Sequence, residues 1–332
     1  MPISYGGDNI TFPDASTQNT SPKTGFVNRI INGSCAVAQR GALSITGNST
    51  PAIYGGCDRI TGLTYGFSTA TGTLQQSGSG FSVSGFSQAI VGLTTTGSGG
   101  VTFGQRIEAL NIYDCNSSTV TVQAKVFQNT GSSQTHYLRL NKANSLNNFS
   151  GVTILGTSAA VTIPSGVLTT VTATFTLGST DASNGILAEA FYTGIGAITS
   201  KDFHIADFQL EKGSTATPFE FRSIGQELAL CQRYFQTYLG PPLRGVMVAS
   251  VNAGRCAMPL SVVMRATPTA AIVSALQIFD GTSTGTITSA GTSYSNAAVA
   301  EFDFVLATGS LVSGRPAILY QGTGQMTFSA EL

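Results

Sequence analysis

Hydrophobic and polar residues alternate along several segments of the chain, the period-two pattern of β-strands with one buried and one exposed face. The clearest case is 119–127, where four apolar residues beginning with Val120 alternate with Thr121, Gln123 and Lys125. The same alternation recurs at 170–177, 298–306 and 325–332. These segments predict an all-β protein.

Turn-forming stretches rich in Gly, Pro, Ser and Asn separate the predicted strands and divide the chain. Residues 1–25 are polar and cannot bury a core, so we expect an N-terminal anchoring arm that a neighbouring chain holds. Residues 26–222 show many short strands at the spacing of a jelly-roll sandwich. Within them, the Gly/Ser-rich stretch 71–85 predicts an exposed loop or a weak edge. Residues 241–332 predict a smaller C-terminal β-sandwich domain.

One helical pattern lies between the two β-regions, at 223–240. Ser223 and Gln226 fit a capping box, and Gly240 with two prolines ends the helix. An apolar stripe at spacings of three and four follows the cap: Leu228, Cys231, Tyr234, Phe235 and Tyr238. The stripe faces either the axis of a trimer or the core of its own chain.

The composition limits the classes of partner. Lys plus Arg number 16 and Asp plus Glu number 16, so the formal net charge is zero and no electrostatic attraction to nucleic acid is expected. No run of about 18 apolar residues occurs, so we expect no membrane insertion. Charged residues are only 10% of the chain, and a surface of hydroxyls and amides suits packed assemblies and sugar contact.

The five cysteines are scattered and form no CxxC pair. They stand at positions 35, 57, 115, 231 and 256. Free buried thiols are one interpretation, and disulfides between subunits are the other.

The sequence contains few residues that could take part in catalysis. Only His136 and His204 are available as imidazole bases, and both lie in strand-like contexts. No nucleophile elbow, HExxH helix or phosphate-binding loop occurs. We therefore expect that the protein is not an enzyme and needs no cofactor.

Three carboxylates fall close together along the chain: Asp202, Asp207 and Glu211. Such a set can cleave a glycosidic bond or ligate a structural Ca²⁺. The structural alternative is that they pair with nearby basic residues: Lys201, Lys212 or Arg222.

Three stretches resemble modular tail and appendage proteins of tailed bacteriophages. Residues 10–18, Ile-Thr-Phe-Pro-Asp-Ala-Ser-Thr-Gln, are similar to the short arm that opens many phage fibre modules, with Ala15 replacing the usual Gly. Residues 28–33, followed by Asp58-Arg59, are similar to the start of the jelly-roll module of these proteins. The longest match runs through 203–213, 216–220 and 227–235.

The resemblance implies a jelly roll like a carbohydrate-binding module, a linking helix, a C-terminal β-sandwich and trimeric assembly. It implies that the arm anchors the chain to its particle through Ile10, Phe12, Pro13, Asp14 and Gln18. It also implies a set of residues with structural roles: Asp58, Arg59, Gln209, Glu211, Pro218, Phe219 and Arg233.

The function that these observations favour is a virion structural protein, a trimeric tail fibre or receptor-binding appendage that contacts host surface glycan. We expect the sugar contacts in loops at one end of the sandwich. The partners are then copies of the same chain, other virion proteins bound through the arm, and host polysaccharide. The protein would be assembled in the host cytoplasm and sit on the tail or head of the particle. The alternatives are a capsid decoration or head-fibre protein and, as a third class, a capsule-degrading enzyme.

Overall fold

The computed structural model describes residues 4–6, 9–11, 17–18, 26–49, 52–240, 244–250, 252–293, 295–319 and 324–332. These residues form antiparallel β-sheets almost throughout, joined by a few short helical turns. The predicted all-β fold is confirmed.

Three short strands near the N-terminus pair with one another as a small sheet: β1 (Ser4–Gly6), β2 (Asn9–Thr11) and β3 (Thr17–Gln18). Ile10 and Gln18 of the predicted arm lie opposite each other on the second and third of these strands. Phe12, Pro13 and Asp14 lie outside the described residues. The anchoring role of the arm stays a prediction.

Thirteen strands build the jelly roll. In chain order they are β4 (Leu43–Thr46), β5 (Ile53–Tyr54), β6 (Thr61–Tyr65), β7 (Thr69–Ser77), β8 (Ser87–Thr96), β9 (Gly99–Ile107), β10 (Thr119–Gln128), β11 (Gln134–Ser145), β12 (Asn148–Thr157), β13 (Val161–Ile163), β14 (Thr169–Thr176), β15 (Ile186–Ile195) and β16 (Ile198–Lys212). One sheet has six strands in the order β14-β10-β16-β8-β7-β4. The other has seven, in the order β12-β11-β15-β9-β6-β5, with β13 paired to β11.

The alternating segments are strands whose apolar residues fill the core between the two sheets. In β10, Val120 and Val122 are fully buried, whereas Gln123 keeps part of its surface exposed. Thr121 was expected on the exposed face but is also buried, and its hydroxyl donates to the carbonyl of Gly213 at 2.7 Å. A local hydrogen bond therefore lets one polar residue of the outer face be covered.

The stretch 71–85, predicted to be a loop or weak edge, is a strand in its first half and a loop from residue 78 onwards, as predicted. β7 lies inside the six-stranded sheet, between β8 and β4, and buries Ala70 and Leu74. Gly72 faces Leu93 of the neighbouring strand, where an added Cβ would stand 3.2 Å from the Leu93 Cα. The glycine that suggested a loop thus serves close packing within a sheet.

The predicted linking helix is shorter than expected. The helical segments are α1 (Ala109–Ile112), a 3₁₀ turn at Tyr113–Cys115 and α2 (Ile224–Gln232). Ser223 is the N-cap of α2, but its hydroxyl lies 3.0 Å from the Gln226 side-chain oxygen and makes no backbone cap bond, so the capping box is wrong. In the described part of the chain, no helix is both long and apolar enough to cross a membrane.

The last part of the predicted helix, residues 235–239, is a strand. The C-terminal strands are β17 (Phe235–Leu239), β18 (Arg244–Ser250), β19 (Ala253–Pro259), β20 (Thr269–Ser274), β21 (Leu276–Phe279), β22 (Thr284–Ser293), β23 (Val299–Gly309), β24 (Pro316–Leu319) and β25 (Gln325–Ser329). β17 pairs with β25 along its whole length, so partners far along the chain override the helical spacing of 235–239.

The C-terminal region is all-β, as predicted, and its strands close on themselves. Six of them form a barrel in the order β18-β19-β23-β22-β21-β24, and the sheet β17-β25-β20 lies beside it. Phe302, Phe304 and Phe328 are buried in a core that the barrel and this sheet share. Closure removes sheet edges that an open sandwich would expose.

The apolar stripe predicted along one helix is split between α2, the turn that follows it and β17. Its members are Leu228, Cys231, Tyr234, Phe235 and Tyr238. Cys231 and Tyr234 have no exposed surface and cluster with Ile31 and Val37 of the jelly roll. These two side chains are therefore not available to line a trimer axis, and burial against the chain's own core is the alternative that holds for them. Trimeric assembly itself stays a prediction.

Candidate functional site

Neither histidine is placed to act as a general base. His136 is fully buried, neither of its ring nitrogens has a hydrogen-bond partner, and burial lowers its pKa to about 3. The Nδ1 atom of His204 lies 2.9 Å from the Ser87 hydroxyl, and burial lowers its pKa to about 4. Both rings are therefore neutral near pH 7 and shielded from solvent.

The three carboxylates that were candidates for catalysis or calcium binding have separate partners. Asp202 accepts a hydrogen bond from the side-chain amide of Asn129 at 2.8 Å. Asp207 pairs with Lys125 at 2.7 Å, and Glu211 holds a loop. For Asp202 and Asp207 these contacts replace the predicted partners: Lys201, Lys212 and Arg222. Within the described ranges, no group of three His, Cys, Asp or Glu side chains is arranged to hold a metal ion.

Gln209 and Glu211 fix the loop that follows β16. The two carboxylate oxygens of Glu211 accept from the Thr217 backbone N–H at 2.7 Å and from its hydroxyl at 2.8 Å. The Gln209 side-chain oxygen accepts from the Glu220 N–H at 2.8 Å. The loop between these contacts carries two further motif residues: Pro218 and Phe219. The contacts agree with the structural role that the resemblance implied.

Arg59 joins the jelly roll to the C-terminal region. Its guanidinium is buried, lies 3.6 Å from the centroid of the Tyr234 ring and pairs with Glu331. The neighbouring Asp58 accepts a hydrogen bond from the side-chain amide of Gln39 at 2.6 Å, and burial raises its pKa to about 6. Asp58 and Arg59 therefore belong to a buried polar network between the two domains.

Three further ion pairs support the same junction. Arg233, at the end of α2, lies 3.0 Å from Glu108 of the jelly roll, and Arg265 reaches the same carboxylate at 3.1 Å. Arg40 pairs with Glu331 at 2.9 Å. Both domains thus contribute charges to each pairing, which fixes their contact.

The cysteines form no disulfide within the chain. All five are free and buried, which agrees with the free-thiol interpretation. Burial raises the pKa of Cys57 and Cys231 well above the ordinary value, so their reactive thiolate forms are suppressed.

The outward surface of the seven-stranded sheet carries a stacked pair of rings. Tyr137 on β11 lies directly opposite Phe191 on β15, with ring centroids 5.3 Å apart and planes inclined by 21°. The guanidinium of Arg139 lies 4.7 Å from the centroid of the Phe191 ring. We call the surface formed by Tyr137, Arg139, Asn141, Glu189 and Phe191 the aromatic face.

Fixed polar groups stand beside the rings. Glu189 lies opposite Arg139, and one of its carboxylate oxygens accepts from the Arg139 Nε at 2.8 Å. The same oxygen accepts from the side-chain amide of Asn141 at 2.7 Å. Glu189 is only 8% exposed, so this network is held in place before any ligand arrives.

Much of the aromatic face is shielded from solvent. Its residues alternate with core residues such as Leu138 and Leu140, yet outward Phe191 is only 9% exposed and Thr102 only 5%. Across the sheet, Gly100 leaves the space that the Tyr65 ring occupies, because an added Cβ would stand 2.4 Å from the Tyr65 hydroxyl oxygen. Tyr137 and Arg139 keep part of their surface exposed, and an aromatic ring beside an oriented guanidinium can stack a sugar ring and hydrogen-bond its hydroxyls.

The sequence did not single out this surface. We expected sugar contacts in loops at one end of the sandwich, whereas the aromatic face lies on the sheet itself. The available signal was that Tyr137 and Arg139 alternate with Leu138 and Leu140, which places a ring and a guanidinium on one outward face.

No protein-family model matches the sequence, and no curated protein matches it. The fold is similar to solved carbohydrate-binding modules, among 75 matching chains. A family 4 module (CBM4) has 14% identity and a TM-score of 0.32, over 55% of this chain and 98% of its own.

Two further structures are of the same kind. The C-terminal family 22 module of Clostridium thermocellum Xyn10B has 11% identity and a TM-score of 0.33, over 52% of this chain and 96% of its own. TmCBM61, solved with β-1,4-galactotriose, has 10% identity and a TM-score of 0.30, over 56% of this chain and 99% of its own. Similarity at this level says nothing about the ligand of this chain.

Proposed function

We propose that the chain is a structural subunit of a bacteriophage particle, a trimeric tail fibre or receptor-binding appendage whose jelly roll contacts host surface glycan. The aromatic face carries the glycan part of the proposal. The particle part rests on the motifs of the arm, the jelly-roll start and the stretch 203–235.

On the aromatic face, the Tyr137 ring supplies the surface on which the C–H groups of a sugar ring pack, and the buried Phe191 ring stacked beside it holds it in place. Arg139 is held by Glu189 and presents N–H donors to ring hydroxyls, whereas Asn141 is buried and fixes the Glu189 carboxylate. Because the network exists without a ligand, little side-chain entropy is lost on binding.

We also propose that the protein acts by binding and not by catalysis. His136 and His204 are buried with lowered pKa, and Asp202 and Asp207 are each held by separate partners. A capsule-degrading activity would release new reducing ends when the purified protein is incubated with host polysaccharide. Such release would contradict this part of the proposal.

A glycan array tests the binding surface. We expect Tyr137→Ala and Arg139→Ala to weaken binding of a host glycan about tenfold, the loss of roughly 1.4 kcal/mol of stacking or hydrogen bonding. Tyr113→Ala is the matched control, since that ring is 61% exposed and lies on the 3₁₀ turn. Equal effects of all three variants, or binding unaffected by the first two, would reject the aromatic face as the site.

Labelling intact particles with a gold-tagged antibody to the chain tests the location. Label confined to the tail supports the appendage, and blocking of host adsorption by the same antibody supports receptor binding. Label over the head identifies the chain as a capsid decoration or head-fibre protein instead. A variant lacking residues 1–22 is expected to fold but not to join the particle, and its incorporation would show that the arm is not the anchor.

A further inference from the structure

A groove of about 360 Å³ lies on the outer face of the six-stranded sheet, the sheet opposite the aromatic face. It runs between the loop 78–86 and the loop 213–220. Its polar and apolar walls come from Gln123, Lys125, Thr170, Asp207, Pro218 and Phe219. The volume is in the range of about 300–1,000 Å³ that small-ligand sites occupy. We call it the Asp207 groove.

The carboxylate of Asp207 is held in an unusual way. Asp207 has φ +45°, a left-handed conformation that residues other than glycine rarely adopt. It stands where the pairing of β16 with β10 shifts register, between the partners of Gln123 and Lys125. One carboxylate oxygen accepts from the Val83 N–H at 3.0 Å, and the residue is only 3% exposed. Strained residues at strand bulges are concentrated at binding sites, because the bulge aims the side chain.

Lys125 completes a polar pair with no net charge. Its ammonium lies 2.7 Å from the second carboxylate oxygen of Asp207, and its side chain is 34% exposed. An ammonium carries three donors, so two remain for a ligand after this contact. The pair therefore presents ammonium donors at the groove beside a buried carboxylate that cancels their charge, so the site favours neither an anion nor a cation.

The opposite wall is apolar and preorganised. Pro218 is exposed and Phe219 is half-buried, and both lie on the loop that Gln209 and Glu211 fix. Gln123 binds the same loop, because its side-chain amide donates to the Thr217 carbonyl at 2.8 Å. The residues that fix this loop thus also fix the apolar wall of the groove.

We propose that the Asp207 groove is a second binding site, for one neutral saccharide unit. Hydroxyl oxygens of the sugar accept from the Lys125 ammonium, which the buried Asp207 carboxylate holds in position. The apolar side of the sugar ring packs on Phe219 and Pro218. The proposal shares only the class of ligand with the proposed function, since its residues and its sheet are different.

Saturation-transfer NMR with glucose, galactose, mannose and N-acetylglucosamine tests the site in the full-length Tyr137→Ala protein, where the aromatic face is impaired. Asp207→Asn is the informative variant, because Asn tolerates the left-handed conformation and keeps an acceptor for the Val83 N–H. We expect it to weaken binding of the neutral sugar about tenfold. It should also strengthen binding of galacturonate, since Lys125 then lacks a counter-charge.

Thr174→Val, on the outer face of β14 but outside the groove, is the matched control and is expected to change neither affinity. Equal neutral-sugar binding by Asp207→Asn and its parent overturns the proposal. Absence of saturable binding by all four sugars in the parent also overturns it. If Tyr137→Ala leaves binding on the glycan array unchanged, the aromatic face is rejected, but the NMR result for the Asp207 groove still stands. The two proposals can therefore fail separately.

Discussion

The guanidinium of Arg59 lies 3.6 Å from the ring centroid of Tyr234, a residue in the turn between α2 and β17. Glu331, beyond the last strand, pairs with the same guanidinium. A single buried arginine of the jelly roll therefore contacts both ends of the C-terminal region. Cation–π and ionic contacts to one desolvated group are stronger than the same contacts in water.

Removing the negative partner of this arginine should destabilise the junction strongly. Glu331→Gln leaves Arg59 buried without a counter-charge, and we expect the free energy of unfolding to fall by about 3–5 kcal/mol. Urea unfolding followed by circular dichroism measures the change. Asp303→Asn is the control, because its pair with Arg255 is well exposed and should contribute less than about 1 kcal/mol. Similar losses for the two variants would show that the buried Arg59–Glu331 pair contributes no more to stability than an exposed ion pair.

The stability should fall in acid because of His136. Its pKa is about 3 in the fold and 6.5 in a model peptide, so the unfolded chain takes up the proton first as the pH falls. Stability from the neutral ring is complete above pH 6.5 and is lost towards pH 3, at about 1.4 kcal/mol per pH unit. Replacement by an apolar residue, His136→Leu, removes this loss.

The comparison must be made between the two proteins, because Asp58 acts in the opposite direction. Its pKa is about 6 in the fold against an ordinary value of 3.8, so its contribution is complete below pH 3.8 and is lost as the pH rises through 6. Thermal denaturation of wild type and His136→Leu between pH 4 and pH 7 isolates the histidine. Parallel curves would mean that the ring has the same pKa in the fold as in the unfolded chain.

Gly100 is required by its neighbours. An alanine Cβ there would lie 2.4 Å from the Tyr192 carbonyl oxygen as well as from the Tyr65 ring, so backbone must shift. We expect Gly100→Ala to lower the free energy of unfolding by about 1–3 kcal/mol. Gly41→Ala is the matched control, because nothing lies within 4 Å of its added Cβ. The melting temperatures of the two variants decide, and an undisturbed Gly100→Ala would refute the close approach.

The buried thiols should be unreactive in the folded protein. Thiol titration with an aromatic disulfide reagent is expected to find essentially no fast-reacting groups in native protein and five in denatured protein. A non-reducing gel should show the monomer alone. Dimers or trimers that vanish on reduction would instead support cross-linking between subunits.

Local patterns predicted some elements well and others not at all. The alternation in β10 was informative because one face of that strand is buried and the period is strictly two. At 235–239 the spacing also suits a helix, and only the partner strand β25, about ninety residues later, selects a strand.

The two candidate binding surfaces depend on register as well. Tyr137 and Arg139 share a face by alternation, but their neighbours Phe191 and Glu189 are known only from the pairing of β11 with β15. In the same way, a lone Asp207 in a strand-like segment gives no sign of the bulge that turns its backbone left-handed. Sites built across strands therefore lie beyond what one segment can show.

The pairing of Arg59 with Glu331 spans 272 positions of the chain, which has a consequence for biosynthesis. Contacts between residues so far apart form late, because the ribosome releases the chain in order and loop closure is slow. During translation the jelly roll therefore emerges with Arg59 still unpaired. The surface that contacts the C-terminal region stays exposed until that region has been made. The nascent chain is most prone to misassembly in this interval. We therefore expect a shortage of chaperone to disrupt the contact between the two domains before it disrupts the hydrophobic core of either.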